Sequence, residues 1–222
     1  MKAKAEGPRS NMGDTAASFR SPGPGWWSLA AALVLLAACS LPLPPPQADP
    51  TRYFLLGNAD LGAVETAAVA KPWVLGVRVV ELPAYLQTRT LAVRARDNEI
   101  AFPDFARWGE PLDQGLTHVL AANLQSLRNV ARVSIQPFRA DEPRDLEIAV
   151  SVTACEGTKE GDVRFAARWR LVAQGGSAPL AAGTYAAAGL KWDGHDYGQL
   201  VAKLSEAVAG LSRDLAAAFP RP

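Results

Sequence analysis

The sequence predicts an α+β domain: a two-layer sandwich, with a mainly antiparallel sheet and two amphipathic helices packed on one face. Three observations carry this. In two long segments, apolar residues recur at three- and four-residue steps, as they do on one face of a helix. Between those segments, Leu146 to Cys155 and Val163 to Val172 alternate strictly between apolar and other residues, giving one packed and one wetter face. Short polar connections join the strands, so a meander is the natural topology. Helix stripes and a one-sided sheet each need a partner layer, and each supplies one for the other.

In chain order, residues 1–38 read as a lipoprotein signal peptide. Lys2, Lys4, Arg9 and Arg20 precede an apolar run of 13 residues from Trp26 to Ala38, and small residues lead up to Cys39. As a helix that run reaches ~20 Å, short of the ~30 Å core of a bilayer, so a membrane span is the weaker reading. Leu36-Ala37-Ala38-Cys39 looks like a bacterial lipobox, in which the cysteine is acylated (palmitate among the chains) and becomes the first mature residue. Met12 is an alternative start. Ser40, rather than an acidic residue, points to the periplasmic face of the outer membrane. Several acyl chains anchor a protein stably where one does not.

Residues 39–51 form the acylated cysteine and a tether. Leu41 to Pro50 holds five prolines in ten residues, an extended spacer that reaches ~30 Å. Residues 52–222 form a single periplasmic domain. Without residues 1–38 the chain has 184 residues, enough for one substantial core. That removal takes four basic and two acidic residues, leaving 19 basic and 20 acidic, a balance that gives no support for nucleic-acid binding. Cys155 has no intramolecular cysteine partner and reads as an inert apolar side chain.

Arg52 to Leu56 is a short strand, and Trp73 to Leu82 a second, broken by Pro83. Thr90 to Phe102 alternates around Asp97-Asn98, a two-residue hairpin turn. Asp104 to Gly109 leads into a helix from Glu110 to Arg128, with Pro111 in its first turn and Leu112, Leu116, Leu120, Leu124 and Leu127 on its buried stripe. Val133 and Ile135 belong to a strand stopped near Pro137. Three further strands end with Leu180 to Leu190. A last helix, Tyr197 to Phe219, starts from Asp196 as N-cap and buries Leu200, Leu204, Val208, Leu211 and Leu215.

Motifs for catalysis are lacking: no P-loop, GxGxxG, HExxH, GxSxG or CxxC stands at a useful place. His118 and His195 lie 77 residues apart, and Asp193, His195 and Asp196 read as a turn rather than a metal site. No enzyme activity, metal or cofactor is expected. Two segments stand out as partner-contact candidates, each joining an aromatic ring to an arginine. One runs from Val79 to Arg89 and includes Tyr85; the other is Arg107-Trp108-Gly109-Glu110-Pro111-Leu112. The residues read as interface are Tyr85, Arg89, Arg107, Trp108 and Glu110; the plainer reading, which the physics alone favours, is that Tyr85 and Trp108 cap the core while Glu110 and Pro111 start the helix. Arg164, Arg168 and Arg170 share one strand face, with Glu147 the nearest cross-strand partner.

Tyr53-Phe54-Leu55-Leu56, the Leu-Pro-x-Tyr-Leu run from Leu82 to Leu86, and the Arg-Trp-x-Glu-Pro-Leu run from Arg107 to Leu112 together resemble the ABC-type transport auxiliary lipoproteins, the PqiC or YmbA-like family. The resemblance spans the mature chain. It implies an outer-membrane-anchored auxiliary subunit of an intermembrane lipid transport system, docking a tunnel built by MCE-domain proteins. The implied partners are that MCE-domain tunnel protein and the outer membrane through acylated Cys39, with a homo-oligomer also open. The alternative is a periplasmic lipid-binding carrier that shelters acyl chains between sheet and helices.

Overall fold

The computed structural model describes residues 47–59, 61 and 71–220. The signal peptide, Cys39 and most of the tether lie outside these residues. The described elements run β1 (Arg52–Phe54), β2 (Trp73–Val77), a 3-10 turn (Ala84–Leu86), β3 (Val93–Arg96), β4 (Glu99–Ala101), β5 (Ala106–Trp108) and α1 (Leu112–Gln125). β6 (Val130–Ile135), β7 (Leu146–Thr158), β8 (Val163–Ala173), β9 (Pro179–Ala186) and α2 (Tyr197–Ala217) follow.

β7 organises the larger sheet. One of its edges takes β8, then β9, in an antiparallel meander. The other takes β2 beside Leu146–Ile148 and β3 beside Gly157–Thr158, both parallel. β6 joins β2 in parallel, and β4 joins β3 as the hairpin the sequence predicts. The sheet is therefore mixed, not mainly antiparallel. The reason lies in α1: it carries the chain over the sheet between β2 and β6, so β6 re-enters in the same direction. The α+β class with both helices packed on the sheet stands.

β7 also breaks its own alternation. A bulge between Val152 and Ala154 puts two residues where one is expected, and the phase changes behind it. Cys155, on the wetter face by strict alternation, thereby pairs with Phe165 in the core, 1% exposed. Burial first, and then nearby Glu156, pushes its thiol pKa up to about 12.

The space between sheet and helices is filled. Leu75, Ile148 and Leu171 from the sheet meet Leu116, Leu120 and Leu124 of α1 and Leu200, Leu204 and Leu215 of α2, all 2% exposed or less. Each such side chain contributes ~1.5–3 kcal/mol by leaving water. α1 starts at Leu112 rather than Glu110, because Pro111 is the N-cap, with its carbonyl accepting from Gly115 N at 3.0 Å, and it ends at Gln125, one turn short of the predicted Arg128. α2 begins where its cap predicts: Asp196 Oδ1 accepts from Gly198 N at 2.9 Å.

Polar side chains join the layers at chosen points. Asn123, fully buried on α1, donates to Ser212 Oγ on α2 at 3.1 Å and accepts from Ala59 N at 2.7 Å. Ser205 and Ser126 accept from Gly57 N and Leu61 N, so the chain after β1 is held on both helices. Trp169 of β8 donates to Asp214 of α2 at 2.7 Å.

Candidate docking site

β5 is the element that sequence alternation passes over, and it builds one corner of the domain. It pairs in parallel with β1, with Tyr53 opposite Arg107 and Phe54 opposite Trp108. On its other edge, Thr90 bridges to Arg107, Trp108 N donates to Arg89 O at 2.6 Å, and Leu91 N donates to Ala106 O at 3.1 Å. Paired residues of neighbouring strands point to the same side. One side of this ribbon is therefore Phe54, Ala106 and Trp108, turned into the core, with Trp108 only 3% exposed. The other is Tyr53, Leu55, Phe105 and Arg107, turned to solvent. Tyr53 is 63% exposed, Leu55 60% and Phe105 55%. Three of the six exposed large apolar residues among those described thus gather on one short face, where the chain leaves Pro50 of the tether.

The five residues read as interface separate here. Arg89 and Arg107 are exposed on adjacent segments, and no ion pair holds either among the described residues. The Trp108 indole supports the corner from beneath and presents almost nothing to a partner. Glu110 bends back along α1, 3.3 Å from His118 Nδ1. Tyr85 turns away, onto the end of β7. Its hydroxyl donates to Glu156 Oε2 at 2.7 Å, while Arg94 holds Oε1 of the same carboxylate at 2.6 Å. The Glu156 side chain is 0% exposed. Burial, and then the bond to Glu156, raises the Tyr85 phenol well above its ordinary value. The Leu-Pro-x-Tyr-Leu run is thus a clamp: Leu86 enters the core and Tyr85 locks onto β7.

Sequence reading missed Tyr53, Leu55 and Phe105. The available signal was phase: in Arg52 to Leu55 and in Phe105 to Trp108, both alternate faces carry large apolar residues, and only one of them fits inside.

Elsewhere the β8 arginines do not find Glu147. That carboxylate accepts instead from Arg78 at 2.8 Å and from Arg144 at 3.4 Å. Asp193 accepts the backbone N–H groups of Asp196 and His195, in that order of effect, and its carboxyl sits below the usual range. Among the described residues, no group of three His, Cys, Asp or Glu is placed to hold a metal ion. No described helix is long and apolar enough to cross a membrane.

A packed α+β body whose exposed aromatic and arginine side chains gather at one corner has the build of a domain that makes contacts. The chain belongs to the family of ABC-type transport auxiliary lipoprotein components, which matches residues 54–216. This is a family of transport auxiliaries rather than of enzymes. The intermembrane transport lipoprotein PqiC of Escherichia coli (strain K12) is 28% identical over 149 residues, covering 67% of this chain and 75% of that protein. Two crystal structures share the fold. A protein from Xanthomonas campestris has a TM-score of 0.61 at 16% identity, over 75% of this chain and 93% of its own. An uncharacterized protein has a TM-score of 0.57 at 24% identity, over 75% and 96%.

Proposed function

We propose that this chain is a non-catalytic auxiliary subunit of an intermembrane lipid transport system. In this reading, acylated Cys39 anchors it to the periplasmic face of the outer membrane, and the domain docks the tunnel formed by an MCE-domain protein. Family membership and the likeness to PqiC support the transport role. The observation that carries docking is the exposed face of Tyr53, Leu55, Phe105 and Arg107, with Arg89 beside it, at the foot of the tether. Aromatic and arginine side chains raised on a rigid, packed ribbon are what a protein interface uses as anchors. The carrier alternative needs room for acyl chains between sheet and helices, and that space is occupied by core side chains, leucines the commonest among them.

A photo-crosslinking residue at Phe105 or Arg107 in cells, followed by mass spectrometry of the tagged lipoprotein, tests this. The expected result is an adduct with an MCE-domain protein; the adduct formed from position 105 is lost on Arg107→Glu. Adducts to phospholipid alone would overturn the docking role.

A further inference from the structure

β9 is a sheet edge of an unusual kind. It pairs with β8, and among the described residues no strand lies on its other side. Its eight residues, Pro179–Ala186, include no charged side chain. Proteins ordinarily guard such edges with charge, proline or a bulge, because a free row of N–H and C=O groups is a template for another strand; here Pro179 and the register shift beside it guard only the start of β9, leaving Ala181 to Ala186 open. The opposite margins carry that guard: Glu99 in β4 and Arg132 in β6.

One strand inward the charge returns, with one sign. Arg168 and Arg170 of β8 stand exposed on the face away from the helices, opposite Thr184 and Ala182 of β9 and Ser151 and Ala149 of β7. Neither arginine forms an ion pair among the described residues: Glu147 is taken by Arg78 and Arg144, and Glu81, on the same groove, is paired with neither. The small residues on both flanks leave a groove of about 350 Å³ that Arg168 and Arg170 line, with Glu81 on its β7 side.

We propose that the β9 edge is a strand-addition site for an extended partner segment bearing acidic residues two positions apart. A strand laid beside β9 places its backbone roughly 10 Å from β8, two strand spacings away. Its outward side chains then face Arg168 and Arg170 across Ala182 and Thr184, which are too short to intervene. Backbone hydrogen bonds supply the attachment, and the arginine pair selects sign and register, as in other recognition by added strands. The site lies away from the β1–β5 corner and does not depend on it.

The test uses the full-length lipoprotein in detergent and an acetylated Thr-Val-Glu-Val-Glu-Val-Thr peptide. Hydrogen exchange across β9 and peptide binding are followed together. The expected outcome is protection of β9 amides by this peptide. Protection disappears when the glutamates become lysines or when alternate backbone nitrogens are methylated. Arg168→Gln and Arg170→Gln each weaken binding about three- to fivefold, the effect of one exposed ion pair, and Thr184→Lys restores a guarded edge and also weakens it. Arg107→Glu leaves binding unchanged, which separates this site from the docking corner. No binding, or binding indifferent to backbone methylation, overturns the proposal. So does inorganic phosphate or an anionic vesicle protecting the groove where the peptide does not, or a crosslink from β9 to a second copy of the chain.

Discussion

Arg94→Met is the most informative change in the domain, because its effect follows from one fully enclosed carboxylate. Glu156 is 0% exposed and has two side-chain partners: Arg94 at 2.6 Å and the Tyr85 hydroxyl at 2.7 Å. Removing the arginine leaves a charge inside the protein with one neutral donor. Breaking a buried pair in this way costs ~3–5 kcal/mol, or roughly 10 °C in a domain of this size. Tyr85→Phe leaves the ion pair intact and removes one hydrogen bond to a charged group, ~1.5–3 kcal/mol. The double change Arg94→Met with Glu156→Gln replaces the stranded charge by an amide. It should recover part of the loss, so the singles do not add. Urea unfolding midpoints at unchanged slope read all of these. The clamp also fixes the segment whose Arg89 carbonyl accepts from Trp108 N. Hydrogen exchange at Trp108 should therefore quicken in Arg94→Met before exchange at Ile148, deep in the sheet, does. An Arg94→Met cost under ~1 kcal/mol, or a double change equal to the sum of its parts, would refute the reasoning.

Cys39→Ser should abolish palmitate labelling and leave the precursor uncleaved; a variant that still labels would sink the lipoprotein reading. Gly183→Ala should destabilise by ~1–3 kcal/mol, since a Cβ there would sit 2.5 Å from the Trp169 ring. The displaced indole loses its bond to Asp214, and tryptophan fluorescence reports it. For Cys155, the folded thiol keeps its proton to about 12, whereas an unfolded one loses it from ~8.5 upward. Above that pH the unfolded chain binds fewer protons, so stability present at neutral pH falls by up to ~1.4 kcal/mol per pH unit. Cys155→Ala should flatten the decline between about pH 9 and about pH 10.5, and an unchanged slope would show the thiol not to be its cause.

What was legible in the sequence is what repeats. The stripe from Leu112 to Leu124, the Asp196 cap and the β3–β4 hairpin follow from period and turn chemistry alone. Parallel pairing was not legible, because direction is set by where α1 returns the chain and not by the pattern within β2 or β6. The bulge at Val152/Ala154 escaped for the same kind of reason: a single extra residue leaves composition unchanged but reverses the face of Cys155 and Glu156. At the candidate site, the arginines and the aromatic residues were visible, but not which of them faces out. Trp108 and Tyr53 differ little as residues. They differ because the register of β5 on β1 turns one inward and the other outward.

That register also decides what would hold the corner still under the proposed partner. A three-residue strand held only by β1 would fray, since a two-stranded ribbon is marginal in water. Here β5 is fixed three times: to β1, to the Arg89–Leu91 segment, and through Trp108 to the core. The middle attachment is itself pinned upstream, where Leu86 is buried and Tyr85 reaches Glu156. The two runs that stand out in the sequence therefore divide the work. The Tyr85 run holds, the Trp108 strand presents, and the exposed side chains that a partner would meet come from Arg107 together with Tyr53, Leu55 and Phe105. A loss of partner capture caused by Tyr85→Phe should accordingly track the loss of stability, whereas one caused by Arg107→Glu should leave the unfolding midpoint where it was.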